Sequence, residues 1–398
     1  MERNRSKRKV SRIMAGMLTM LLCMTSSLSV WAGTSGTQAT PEEAEFTKTL
    51  QYADGVGLTA PNVTFTFTFD EVSLDGATTP AVVGTMPAIG PETLSFSSAD
   101  TVTISGGMNQ ITKTSGDVLS GLTWPGTGVY EYEVTETASG FTPAVTAETM
   151  NYSQAVYTLY VVVSYDSATS SYFVEQAYTN QTVDNTGGTG SGKGGANTAD
   201  GDYNFLFTNT YTKQGGTTAG TDALTITKTT TGTGSDQSKQ FTYTLTADDS
   251  VTGVAPAAYT GTITRAGGGT STVSLTADGS TAATFALADG DEIVFNTLPA
   301  GTTFEVEETG AASYIATYSG TTASGAISSG TGTAGAALST GTQTIGTTDN
   351  EVNFTNTYDS SLIPTGVLSD IAPFLVLTAA AVLAFAVFAA TNRRKASR

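Results

Sequence analysis

The sequence predicts an all-β protein divided into two tandem domains. Thr, Ser, Gly and Ala dominate its 398 residues, and Pro is scarce. Aromatic residues sit in short runs of alternating polarity, most clearly Val63-Thr64-Phe65-Thr66-Phe67-Thr68-Phe69, and that period of two is the signature of a half-buried strand. The stretch Phe-Thr-Asn-Thr-Tyr occurs twice unchanged, at residues 207–211 and 354–358. A chain of this length accommodates two domains of ordinary size, and the repeated stretch supplies a closing strand for each.

Charge narrows the possible functions. Of 17 Lys and Arg, six lie in the first 12 residues and four in the last six. The seven between them are Lys48, Lys113, Lys193, Lys213, Lys228, Lys239 and Arg265. The body is therefore strongly acidic, which argues against nucleic-acid binding, since that requires a basic footprint. Histidine is absent, which removes the commonest general base and the usual zinc ligand. The sole cysteine, Cys23, lies in the N-terminal apolar run, so the body holds no disulfide. No metal or cofactor site is expected, and no cleft constellation suggests an enzyme with turnover.

Residues 1–32 read as a secretory signal. A basic start (Arg3 to Arg12) precedes the apolar stretch Ile13 to Val30, and Val30-Trp31-Ala32 is a small-x-small cleavage site. A retained membrane anchor is the alternative. Residues 33–44 read as a flexible leader. Domain 1 spans 45–211, opening with Phe46, Lys48 and Leu50 on one face. Trp124-Pro125-Gly126 is a turn leading into a strand with Tyr130, Tyr132, Val134 and Glu136 on one face and Glu131 and Glu133 on the other. Ala155 to Tyr165 and Tyr172 to Tyr178 read as a hairpin, and 183–201 as a Gly-rich loop carrying Lys193. Residues 212–221 are a flexible linker.

Domain 2 spans 222–359 and repeats the order. Leu224, Ile226 and Lys228 share a face of its first strand, and Phe241, Tyr243 and Leu245 mark the second. Asp289-Gly290-Asp291 reads as a hairpin turn, with calcium binding the weaker alternative because EF-hand ligand spacing is lacking. After Leu298-Pro299-Ala300-Gly301, Phe304, Val306 and Glu308 share one face while Glu305 and Glu307 take the other. Residues 320–349, rich in Gly, Thr, Ser and Ala, are expected to include a long loop. A short motif at 360–366 follows, then an apolar run of spanning length at 371–390 and a basic cytoplasmic tail at 391–398.

Each domain thus carries three polar residues on faces expected to be buried, in the same order: Lys48, Glu136 and Asn209, then Lys228, Glu308 and Asn356. Burial lowers a lysine's pKa and raises a glutamate's, and a neutral amine is a competent nucleophile. A protonated Glu hydrogen-bonded to the Asn amide oxygen would polarise its carbon and relay protons to departing ammonia. The product is an amide between Lys Nζ and Asn Cγ. The simpler alternative is a buried Lys–Glu ion pair beside an independent core asparagine.

Taken together, Val129 to Glu136, Leu224 to Lys228, Asp289 to Ile293, Leu298 to Glu308, Phe354-Thr355-Asn356 and Ile363-Pro364-Thr365-Gly366 resemble the major, or backbone, pilins of Gram-positive bacteria, the two-domain streptococcal type. The resemblance covers nearly all of the mature chain. It implies two immunoglobulin-like sandwich domains of the collagen-adhesin B type, each with a Lys–Asn isopeptide bond, here Lys48–Asn209 with Glu136 and Lys228–Asn356 with Glu308. It also implies a shaft subunit of a surface pilus, with neighbouring pilin subunits, sortase and cell-wall peptidoglycan as partners and a host surface ligand as a possible further one. Sortase would cut between Thr365 and Gly366 of the sorting signal and join Thr365 to a lysine of the next subunit, while the C-terminal transmembrane helix holds the precursor. Leu362-Ile363-Pro364-Thr365-Gly366 has one residue more between Leu and Pro than the usual Leu-Pro-x-Thr-Gly, and the Tyr-Pro-Lys-Asn type pilin motif is absent. Lys193 is the expected acceptor, with Lys113 and Lys213 as rivals. A monomeric wall-anchored adhesin or a minor or tip pilin, using the same domains as a stalk, is the competing function.

Overall fold

The computed structural model describes residues 35–144, 148–200, 202–217, 222–250, 256–330, 332–362 and 376–387. The chain is predominantly strand and separates into two compact units that divide between Lys213 and Gln214.

In the first unit the strands are β1 (Thr47–Ala53), β2 (Val63–Leu74), β3 (Glu92–Phe96), β4 (Thr103–Ser105), β5 (Met108–Thr114), β6 (Gly128–Thr137), β7 (Glu148–Asn151), β8 (Val156–Asp166), β9 (Ser171–Val183), β10 (Thr189–Gly195) and β11 (Leu206–Lys213). They form one sheet in the order β4-β5-β1-β11-β7 and another in the order β10-β9-β8-β6-β2-β3. The inward residues of the two sheets share one apolar core. Phe46 packs on Phe67 with ring centroids 4.3 Å apart, and Phe207 meets Phe67 at 4.9 Å and Tyr157 at 5.2 Å. Tilted and edge-on contacts of this kind add to the area term because ring edges and faces carry opposite partial charge.

The second unit comprises β12 (Leu224–Thr231), β13 (Phe241–Asp248), β14 (Ala258–Thr264), β15 (Thr270–Thr276), β16 (Ala283–Leu287), β17 (Glu292–Phe295), β18 (Thr303–Glu308), β19 (Tyr314–Thr322), β20 (Gly325–Ser328), β21 (Leu338–Ser339), β22 (Gln343–Thr344) and β23 (Glu351–Tyr358). One sheet runs β15-β14-β17-β12-β23-β19-β20. The other runs β16-β13-β18-β21, with β22 also on β18. Here too the inward faces close on a single core, where Tyr243 meets Phe354 edge-on at 5.1 Å.

The first and last strands of each unit lie side by side and parallel. β1 pairs with β11 so that Lys48 is opposite Phe207 and Leu50 opposite Asn209. β12 pairs with β23 so that Lys228 is opposite Phe354 and Thr230 opposite Asn356. Strict alternation turns Phe207, Asn209 and Tyr211 inward together, and Phe354 and Asn356 likewise, as the period of two requires.

Several segments differ from the expectations above. The Gly-rich stretch 183–201 contains a strand, β10, antiparallel to β9 with Lys193 opposite Asn180. Glycine gives no polarity pattern to read, yet here it permits close backbone approach: a Cβ on Gly190 would come within 2.1 Å of the Gln181 carbonyl oxygen. Within stretch 320–349, besides loops, lie the end of β19 and the short strands β20, β21 and β22. The leader is held on β9, with Gly36 N–H donating to Glu175 and Glu42 N–H to Val174. In the linker, Gly215 and Gly216 donate to the Leu298 and Gly346 carbonyls. The signal 1–32 and the motif Ile363, Pro364, Thr365 and Gly366 lie outside the described residues, as does most of the tail. Of the apolar run 371–390, residues 376–387 are described and helical. Among the described residues no helix is long and apolar enough to cross a membrane.

Candidate functional site

Each unit brings its Lys, Glu and Asn together between the sheets. In the first, Lys48 on β1 and Asn209 on β11 are diagonal neighbours on one inward face. Glu136 projects from β6 in the opposite sheet, where it pairs with Phe67. Lys48 Nζ donates to Glu136 Oε2 at 2.6 Å, and Asn209 Nδ2 donates to Glu136 Oε1 at 2.5 Å. One carboxylate therefore bridges amine and amide. Lys48 and Asn209 are 0 % exposed. Glu131 and Glu133 sit on the outer side of β6, because only even-numbered residues there face the core.

The second unit repeats the arrangement with looser spacing. Lys228 on β12 donates to Glu308 Oε2 at 3.3 Å, and Asn356 on β23 donates to Glu308 Oε1 at 2.5 Å. Glu308 lies on β18, opposite Tyr243 of β13, and all three residues of the set are about 1 % exposed.

The electrostatics follow from burial. Removal from water pushes the Lys48 ammonium down to about 8, against the restoring pull of Glu136. The same desolvation raises Glu136, with Lys48 and the Asn209 amide opposing it. Lys228 is likewise pushed down to about 8 by burial, with Glu308 acting against the shift. Aromatic rings line both amines: Lys48 Nζ is 4.6 Å from the Phe65 centroid and Lys228 Nζ 4.0 Å from that of Phe241. Such walls favour a nearby cation modestly but offer it no acceptor, so each carboxylate is the ammonium's main partner.

Two neighbours went unseen in the sequence. The Asn209 amide oxygen was expected to accept a hydrogen bond from a protonated Glu136. Instead it accepts the Ser153 backbone N–H at 2.6 Å, which leaves the amide nitrogen facing the carboxylate. No side-chain pattern could signal this, because the donor is main chain. In the second site the Tyr243 hydroxyl donates to Glu308 Oε2 at 2.9 Å. Alternation already turned Tyr243 inward, and a phenol on a buried face is a signal, since its hydroxyl needs a partner.

The remaining candidates separate by environment. Lys113 is engaged by Asp100 at 2.7 Å and by the Ser95 carbonyl at 2.6 Å, and Lys213 lies 3.8 Å from Glu148. Lys193 is the exposed one among the described lysines. It stands on edge strand β10, its Nζ 5.5 Å from the Tyr178 ring. Asp289 accepts the Thr230 N–H at 2.5 Å. Asp291 accepts from Arg265 and from the Ala266 and Ala288 backbone, so both carboxylates serve the turn around Gly290. Among the described residues no group of three His, Cys, Asp or Glu could hold a metal ion.

Residues 222–358 match the model of a family described as a domain of unknown function. No curated protein matches the chain. Among solved structures the chain is similar to the major pilin from Streptococcus pyogenes, at 22 % identity over 80 % of this chain and 99 % of that one, with a TM-score of 0.32. It is also similar to the T3.2 major pilin of the same species, at 18 % identity over the same shares and a TM-score of 0.30. A pilus-presented adhesin matches at 19 % identity over 46 % of this chain and 36 % of that one, with a TM-score of 0.25.

Proposed function

We propose that the protein is a structural shaft subunit of a covalent surface pilus, and that each of its two immunoglobulin-like domains is closed by a self-made Lys–Asn amide. The observation that carries this reading is the doubled buried contact of one carboxylate with both a lysine amine and an asparagine amide.

The chemistry balances without a cofactor. Lys48 passes one proton to Glu136 across their hydrogen bond, leaving a neutral amine and a neutral acid. With the amine's pKa near 8, about a tenth of it would be neutral at pH 7 even without that transfer. Nζ attacks Asn209 Cγ. Glu136 gives its proton to Nδ2, which leaves as ammonia, and takes one from the attacking nitrogen. One C–N bond forms and one breaks, and Glu136 ends as the neutral acid beside a neutral amide. Two buried charges disappear, which removes the desolvation cost that the ion pair carries in the core. The fold supplies the orientation, the main advantage of an intramolecular reaction, and the reaction runs once per site. Lys228, Glu308 and Asn356 act in the same roles.

Polymerisation is the second part of the proposal. Sortase would cut after Thr365 and join its carboxyl to Lys193, whose amine is exposed on an edge strand while Lys113 and Lys213 are engaged by carboxylates. Peptidoglycan would take the last subunit at the fibre base, outside the cell. In cells with active sortase, wild-type chains should give a ladder of species that survives boiling in detergent. Lys193→Ala should abolish the ladder while leaving surface display intact. Monomers alone from wild-type cells would instead favour the wall-anchored adhesin or tip pilin.

A further inference from the structure

The two sites share their reacting residues but differ in the groups around them. In the first unit β7 pairs with β11 only from Thr210 to Lys213 and ends at Asn151. The chain then turns away, and the Ser153 N–H, released from the ladder, points at the Asn209 amide oxygen. Asn185 clamps this turn, accepting from Ser153 Oγ at 2.5 Å and from the Thr208 N–H at 2.8 Å. In the second unit the corresponding neighbour, β19, runs past the asparagine in unbroken register, with Ala316 opposite Asn356. Among the described residues the buried Asn356 Oδ1 has no hydrogen-bond donor. The carboxylates differ as well. Phe67 stands opposite Glu136, whereas Tyr243 stands opposite Glu308 and donates to the same oxygen that Lys228 approaches.

We propose that the two cross-links form at unequal rates, Lys48–Asn209 first, because the Ser153 N–H activates the first asparagine and Tyr243 restrains the second glutamate. The inference rests on the amide-forming reading above. When Nζ adds to Cγ, negative charge develops on the amide oxygen, and a preplaced donor there stabilises the transition state. The first site has that donor. In the second, the phenol donates to Glu308 in its charged form and so opposes the proton transfer from Lys228 that frees the amine. The shared oxygen also fits the longer Lys–Glu contact, 3.3 Å against 2.6 Å. The charged and titratable groups facing this second site are Lys228, Glu308, Tyr243 and, acting on Lys228 from the turn before β17, Asp289. Tyr243 is thus a positioning residue that acts through Glu308.

The test follows the full chain from the moment it is made. Cell-free synthesis is stopped at intervals, the product digested, and the branched Lys48–Asn209 and Lys228–Asn356 peptides quantified by mass spectrometry. The first is expected to form at least about tenfold faster. Ser153→Pro, which deletes the donor, should slow the first site toward the rate of the second. Tyr243→Phe, which copies the first site's Phe67 at nearly constant volume, should speed the second about tenfold. It should leave the first site unchanged. Equal rates, a reversed order or a slower second site in Tyr243→Phe would overturn the inference while leaving amide formation standing. Absence of both branched peptides would overturn both.

Discussion

Glu136→Ala is expected to produce a chain whose first unit has lost its cross-link and unfolds far more readily than the second. A covalent tie between the first and last strands acts like a disulfide closing nearly the whole domain, and loops of roughly 100 residues are worth about 4.7 kcal/mol in chain entropy. The variant also leaves Lys48, 0 % exposed, without its carboxylate, and breaking a buried pair in this way costs about 3–5 kcal/mol. The two losses separate by comparison. Asn209→Ala cannot cross-link either but leaves Glu136 to pair with Lys48, so it should lose less than Glu136→Ala. Were Lys48 and Glu136 only an ion pair beside an independent asparagine, Asn209→Ala would cost about 1–3 kcal/mol, the penalty for disrupting a buried hydrogen bond. Calorimetry that resolves the two units distinguishes these outcomes, with the Glu308→Ala and Asn356→Ala chains as the matching pair for the second.

The cross-link should also change how stability depends on pH. In Asn209→Ala, Lys48 still titrates, with a folded pKa near 8 against an ordinary value of 10.5. The unfolded chain then binds more protons than the folded chain between those values, so stability rises as pH increases through that window. Glu136 works in the opposite sense at the acid side. Its folded pKa is raised by burial, so it favours the fold as pH falls toward 4.5. The uncross-linked first unit should therefore be least stable between the Glu136 transition and the Lys48 one. In the cross-linked wild type Lys48 has no amine to titrate. The difference in stability between wild type and Asn209→Ala should accordingly shrink from pH 8 to 10.5. A difference constant across that window would mean that Lys48 is not the titrating group.

Much of this arrangement could be read from side-chain alternation. Lys48 among Phe46 and Leu50, Glu136 after Tyr132 and Val134, and Asn209 between Phe207 and Tyr211 all declare the face they share, because strand geometry leaves each side chain only two directions. The pairing of first and last strands was reachable as well, since the repeated Phe-Thr-Asn-Thr-Tyr stretch closes both units. Strand β10 was hidden because its glycines carry no polarity and pair through backbone alone. β14 and β15 were hidden by Thr, Ser and Ala, which leave weak alternation on half-exposed strands. The Ser153 N–H depends on where β7 stops pairing with β11, a tertiary event without a local signature. The differing roles of Tyr243 and Phe67 emerge only when the two registers are laid side by side, since their sequences diverge around those positions.

If each unit joins its own lysine to its own asparagine, the chain loses mass. The intact mass of residues 33–361, purified in folded form, tests this most directly. Two amides predict a mass lower than that of the sequence by two ammonia molecules, with Glu136→Ala and Glu308→Ala each restoring one. An unshifted wild-type mass would contradict the account.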